Sequence, residues 1–229
     1  MNWVVNNLGL IGELTAIHLR QSVIALVIGF AFSVPLGWVA WRYRLVRSGV
    51  ITITGLLYTI PSLALLIIVP AATGWYSFTS EANLIVALTI YAIAILVRSV
   101  ADGLDSVDPG VRQASTAMGF GSFRRFWAVE FPLAGPVILA GLRVTAASTV
   151  ALATVGILVG ITNLGYLFTN GSQRRIIPEV LAGVVAVVVL ALVVDALLLL
   201  LGRLLMPWTR RVTTSRKRFR ALQAAGARA

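Results

Sequence analysis

The chain alternates long apolar runs with polar breaks, and the runs exceed what a soluble core helix needs. Five of them, Ser22–Trp41, Val50–Ala72, Leu84–Val100, Leu133–Gly160 and Val180–Met206, fall in the range of about 17–28 residues that suits a membrane span. The last two are long enough to tilt or to carry an irregular end. The breaks are unequal, and the longest covers residues 102–131. The pattern predicts an all-α integral membrane protein of about five transmembrane helices. It divides into an N-terminal segment over 1–17, a membrane domain over 18–206 with a long loop at 102–131, and a basic tail over 207–229. No internal repeat, low-complexity tract or soluble domain is visible.

Composition agrees with lipid as the solvent: 59% of residues are hydrophobic and 12% are charged, about half the charged share of a soluble domain. Met1–Leu19 lacks the basic n-region and small-residue cleavage site of a signal peptide, so the first span is expected to act as its own insertion signal. With no cysteine and one histidine, His18, disulfides, thiolate sites, multi-histidine zinc sites and most general-base triads are excluded. No metal site and no catalytic residue is expected.

The net charge of +11 has a membrane explanation, because basic residues collect on the cytoplasmic side. Arg42, Arg44 and Arg47 follow the first span. Arg112, Arg124 and Arg125 follow the third, with Arg98 at its edge, and Arg210, Arg211, Arg216, Lys217, Arg218, Arg220 and Arg228 follow the fifth. On the other side, Met1–Leu19 and Thr73–Asn83 hold no basic residue, and Ile161–Pro178, after the fourth span, holds only Arg174 and Arg175. This asymmetry predicts an N-terminus outside and a C-terminus in the cytoplasm. Trp3, Trp41, Trp75, Tyr76 and Trp208 stand near span ends, where aromatic belts sit.

The loop between the third and fourth spans carries the functional signal. Asp108-Pro109-Gly110 reads as a turn, Val111–Met118 as a short helix with Ala114, Ser115 and Ala117 on one side, and Gly119 and Gly121 as breakers. Ser122 is placed to cap a second short helix, Ser122–Glu130, and Pro132 opens the fourth span. A helix–glycine–helix stub of this kind is a docking element.

The stub resembles the coupling motif of ABC-importer permeases: Glu-Ala-Ala, three residues, Gly, nine residues, then Ile-x-Leu-Pro. The matching positions are Gln113-Ala114-Ser115, Gly119 and Val129-Glu130-Phe131-Pro132. Gln113, Ser115, Val129 and Phe131 depart from the motif in side chain, and Gln113 lacks the charge for a salt bridge. Further stretches, His18-Leu19-Arg20-Gln21-Ser22, Val34-Pro35-Leu36-Gly37, Thr59-Ile60-Pro61-Ser62-Leu63-Ala64 and Gly141-Leu142-Arg143, resemble the osmoprotectant branch (glycine betaine, choline, carnitine). The run Gly160–Tyr166 departs from that branch's glycine cluster, as one half of a heterodimeric pair would. The resemblance implies a type I ABC-importer permease fold over 18–206, in the cytoplasmic membrane of a prokaryote. It implies three kinds of partner: a cytoplasmic ABC ATPase dimer that binds the ATP, an extracytoplasmic solute-binding protein, and a second permease chain, identical or paralogous. The chain has no phosphate loop of its own, so no cofactor is expected on it. A permease for another small solute, such as an amino acid, is the alternative.

Pro35 and Pro61 lie inside spans, where each removes a helix hydrogen bond. They read either as hinges lining a path or as tolerated kinks. Ser33, Thr59 and Ser62 are placed either to satisfy the freed carbonyls or to face a solute. His18 and Glu13 read as members of a solvated interfacial helix, with a proton relay as the alternative. Arg174 and Arg175 read equally as a binding-protein contact or a solvated loop. The tail over 210–220 reads as lying against anionic headgroups, with ionic-strength sensing as the alternative. An intramembrane enzyme would need buried catalytic sets that are absent, and a passive channel would not need the stub.

Arg143 and Asp195 are ionisable and deep. Arg143 lies ten residues beyond Leu133 and Asp195 eleven before Met206, so each sits roughly 15 Å from the same end of its span. Charges at such depth take partners, which predicts an ion pair between the fourth and fifth spans. The alternative is that each finds a separate outlet.

Overall fold

The computed structural model describes residues 2–74 and 77–209. Trp75, Tyr76 and the basic tail from Arg210 onward, all singled out above, lie outside the described residues. Within them the chain is helical: α1 (Asn2–Asn6), α2 (Leu8–Arg42), α3 (Arg44–Thr59), α4 (Ser62–Thr73), α5 (Glu81–Asp105), α6 (Pro109–Ala117), α7 (Ser122–Arg125), α8 (Phe131–Ala153), α9 (Gly165–Gln173) and α10 (Ile177–Leu205). A π turn, Phe126–Glu130, joins α7 to α8, and a 3₁₀ segment, Thr154–Val159, ends α8. Four stretches are long and apolar enough to cross a membrane: Leu8–Arg42, Glu81–Asp105, Ser122–Val159 and Ile177–Leu205. The bent pair α3–α4 makes a fifth if counted as one span.

Lipid tails are as apolar as leucine, so helices in a bilayer associate through close packing of small residues. The α2–α5 seam is built this way. Ala25, Gly29, Ser33, Gly37 and Ala40 recur at every third or fourth position of α2, and all are buried. A Cβ on Gly29 would stand 2.5 Å from the Ala92 Cβ, and one on Gly37 2.6 Å from the Val100 Cβ. The register rises on both helices together, so α2 and α5 run parallel. The next seam is antiparallel: Gly103 meets Ile138, Gly141 meets Ser99 and Gly156 meets Leu84. Gly135 against Met206 and Gly202 against Leu139 make α8 and α10 antiparallel as well. Helices α2, α5 and α10 therefore point one way and α8 the other, with α3–α4 returning the chain. The outer face of α10, with Val185, Val188, Leu192 and Leu204 exposed, is free to meet lipid.

Several elements differ from the sequence expectation. The first long helix begins at Leu8, so the boundary between residues 17 and 18 falls inside it. His18 is not solvated. It is wholly buried, with Nε2 2.9 Å from the Val150 carbonyl oxygen of α8, while Glu13 is exposed. α2 continues through Pro35, so no break occurs there. The second span is two helices at 107° rather than one kinked rod. The stretch after α8 is not a plain loop but contains α9, which packs antiparallel on α10 with Gly183 against Leu167. Ser122 does not cap: Gly121 holds the N-cap position in extended backbone, and the helix runs on through the π turn into α8 instead of stopping at Glu130.

Candidate functional site

The loop between α5 and α8 is a rigid hook. Asp108 caps α6, its Oδ1 accepting the Gly110 amide at 2.6 Å, and Pro109 takes the first helical position, where its missing N–H costs nothing. At the other end the Phe120 amide donates to the Ser115 carbonyl (3.1 Å) and the Gly119 amide to the Thr116 carbonyl (3.0 Å). Gly119 adopts φ +83. These two bonds and the left-handed residue form a Schellman turn, which favours glycine because a Cβ there meets its own carbonyl.

A buried carboxylate anchors the hook. Glu130 is buried and accepts from Arg125 Nε at 2.9 Å, while Arg112 Nε lies 3.8 Å away. Arg125 Nη1 in turn donates to Thr116 Oγ1 at 2.8 Å. Arg112 donates to the Leu104 carbonyl and lies over the Trp41 ring at 4.8 Å. One acid thus fastens α6, α7 and the end of α5 to the start of α8. Phe126, Trp127 and Phe131 stack beneath, with centroids 4.9–5.6 Å apart.

The motif residues divide between anchor and surface. Ser115 is buried and donates to the Arg112 carbonyl at 2.8 Å. Val129 and Pro132 are half-buried at the root, and Gln113, Ala114 and Gly119 face outward. Met118 (70% exposed) and Phe123 (80%) stand beside them without cover. An apolar rim on a rigid polar hook suits a protein partner better than water.

The candidate path residues fall in two places. Ser33 lies in the α2–α5 seam, buried, donating to the Gly29 carbonyl at 2.7 Å. Pro35 borders an apolar groove of about 580 Å³ with Trp38, Phe126 and Trp127. Neither touches a polar space. Thr59, Pro61 and Ser62 gather at the α3–α4 break. There Ile60 is extended, ψ 129°, because a residue before proline is pushed out of the helical region, and Pro61 follows it in extended backbone, ψ 134°. The carbonyl of Ile60 accepts the Tyr91 hydroxyl of α5, and Thr59 donates to Leu56 at 2.7 Å.

Arg143 and Asp195 meet between α8 and α10. Nε lies 2.6 Å from Oδ1 and Nη2 2.8 Å from Oδ2, the two-pronged geometry in which arginine binds a carboxylate best. At the opposite end of the bundle from the hook, Asn163 bridges three elements. Its amide donates to Ala153 (2.7 Å) and Gln21 (3.3 Å), and its oxygen accepts from Gly165 (2.8 Å). Sequence reasoning passed over Glu130, Tyr91 and Asn163. Each is a polar residue in or beside an apolar run; Tyr91 and Asn163 find partners far along the chain, at Ile60 and Gln21, whereas the Glu130 partners Arg125 and Arg112 lie in the same loop.

The family of binding-protein-dependent transport system inner membrane components matches residues 25–211. The chain belongs to that family. This inner-membrane permease is 30% identical over 199 residues to the osmoprotectant import permease protein OsmW of Salmonella typhimurium, covering 86% of this chain and 93% of that one. It is 33% identical over 178 residues to the carnitine transport permease protein OpuCB of Listeria monocytogenes, 78% and 80% of the two chains. It is 32% identical to the choline transport system permease protein OpuBB of Bacillus subtilis over 83% of this chain and 86% of that one. Among solved structures, an inward-facing MetNI methionine ABC transporter superposes with a TM-score of 0.76 at 22% identity, over 86% of the permease and 97% of that chain. An amino acid ABC transporter gives 0.72 at 18% identity, over 87% and 96%. The permease therefore has the fold of type I ABC-importer membrane subunits. It is a translocation subunit, in a family whose systems pair it with ATPases and binding proteins.

Proposed function

We propose that the permease carries a small quaternary-amine osmoprotectant, such as glycine betaine, choline or carnitine, through the cytoplasmic membrane in an ATP-driven importer. The observation that carries this reading is the similarity, over most of both chains, to permeases named for these solutes. The hook would dock in a cleft of a cytoplasmic ATPase through Gln113, Ala114 and the Gly119 turn. Closure of two such ATPases on ATP would move α8 directly, because α7, the π turn and α8 form one rod of 38 residues with its 3₁₀ end. ATP would bind the partner. The second permease, identical or paralogous, would complete the path, and an extracytoplasmic binding protein would deliver the solute.

The orientation that goes with this reading puts the hook in the cytoplasm. Its support is charge: Arg42, Arg44, Arg47, Arg112, Arg124 and Arg125 cluster with the hook, and Arg47 reaches Asp105 at 2.6 Å. The opposite end carries Arg20 paired to Glu81 at 2.7 Å, together with Arg174 and Arg175. The basic end is the cytoplasmic one by the positive-inside rule.

The test is ATPase activity of the co-purified complex in liposomes with its binding protein, comparing betaine, choline, carnitine, proline and methionine. Stimulation by the first three is expected. Stimulation by an amino acid alone would replace the solute class while leaving the importer reading intact.

A further inference from the structure

We propose that Tyr58, at the α3–α4 break, is a cation–π seat for the quaternary ammonium of the solute inside the membrane. The proposal rests on the osmoprotectant reading above and adds the residue that recognises the ammonium group in the permease itself.

The break cannot face lipid. A helix end leaves the carbonyls of its last turn, or the amides of its first, without helical partners. Within a bilayer such backbone persists only when buried in protein or lining a water-filled cavity. One of these groups, the Ile60 carbonyl, is capped by Tyr91. Thr59 and Pro61 are exposed on this chain, so the break opens onto a path or another subunit. Thr52, Gly55 and Thr59, also exposed, form a small and polar strip on α3 that leads to it.

The chemistry of the break suits a cation that cannot donate a hydrogen bond. No acidic or basic residue occurs between Arg47 and Glu81, so the broken segment brings no carboxylate of its own. Tyr58 leaves 50% of its surface uncovered. Its ring is braced edge-to-face on Tyr91, centroids 6.0 Å apart at 89°, and Tyr91 is itself fixed by its hydrogen bond to Ile60. The C-terminal end of α3, which carries the partial negative charge of the helix, points at the same place. A trimethylammonium group spreads its charge over methyls, and its best neutral partners are aromatic faces backed by carbonyl dipoles. An amine with N–H groups would instead need acceptors for them.

The experiment uses the complex with its ATPase and binding protein in proteoliposomes. Choline and betaine uptake are measured for wild type, Tyr58→Phe, Tyr58→Leu and a series with mono-, di- and trifluorinated phenylalanine at position 58. Fluorine drains the ring face while nearly preserving its shape. The expected result is near-normal uptake for Phe, a loss of about three- to thirtyfold for Leu, and a stepwise fall along the fluorinated series. Undiminished uptake for Leu, or a flat fluorinated series, overturns the seat and leaves the osmoprotectant reading standing. A wild type that takes up no quaternary amine overturns both. Should the Leu variant fail to assemble, the fluorinated series decides. A further readout uses Tyr58→Cys in this cysteine-free chain: a thiol reagent bearing trimethylammonium should modify it, and choline should slow the reaction. An unreactive cysteine, or one that choline does not protect, counts against the seat.

Discussion

Gly119 shows how one backbone angle serves the hook. Its φ of +83 is set by the Schellman turn, yet a Cβ there would meet nothing of this chain within 4 Å. A side chain would therefore cost only the left-handed strain, about 1–2 kcal/mol, and would project into the space where a partner docks. Gly119→Asp should leave insertion intact and lower thermal stability only by that strain, while abolishing uptake and releasing the ATPase during purification. Normal uptake at normal expression would remove the coupling role. Arg143 and Asp195 give a second prediction at this scale. Arg143→Asp and Asp195→Arg should each lose assembly or transport, and the double swap should recover part of it. A double variant no better than the worse single would mean that the contact does not matter to the working complex.

The elements explain how much was legible. Five apolar runs and the long loop could be read because spans and basic loops leave local marks. Arg143 and Asp195 could be paired on paper because deep charges are scarce and rise per residue sets their depth. The 107° bend was not legible. Pro61 announces a fault, but the angle comes from extended Ile60 and the Tyr91 hydroxyl that holds its carbonyl. His18 differs from expectation for a related reason: a histidine in the segment before the first apolar run reads as solvated until α8 offers the Val150 carbonyl. The strip Ala25, Gly29, Ser33, Gly37, Ala40 was present in the sequence as small residues at helical spacing, but its partner helix was not. That seam makes its own prediction. A Cβ on Gly37 would come within 2.9 Å of the Val97 carbonyl as well as clashing with Val100. Gly37→Ala should destabilise by about 1–3 kcal/mol in thermal melts of the purified permease. Gly49→Ala, on α3 with nothing within 4 Å, should be neutral or slightly stabilising.

For the whole molecule, direction of travel matters most. Three helices point one way, α8 points the other and α3–α4 bends back, so the hook and the Asn163 junction lie at opposite ends. A cysteine at Ser77 should react with an impermeant thiol reagent from outside, and one at Ser122 only after the membrane is opened. The reverse pattern would overturn the orientation and the docking argument with it. The central claim is that this permease works as the moving part of a pump and not as a passive pore. Its most direct test is uptake of labelled choline or betaine by proteoliposomes holding the permease, its ATPase and its binding protein, with ATP on the hook side. The account predicts accumulation above the outside concentration that requires ATP and binding protein and disappears with Gly119→Asp. Equilibration without ATP, or accumulation untouched by Gly119→Asp, would contradict it.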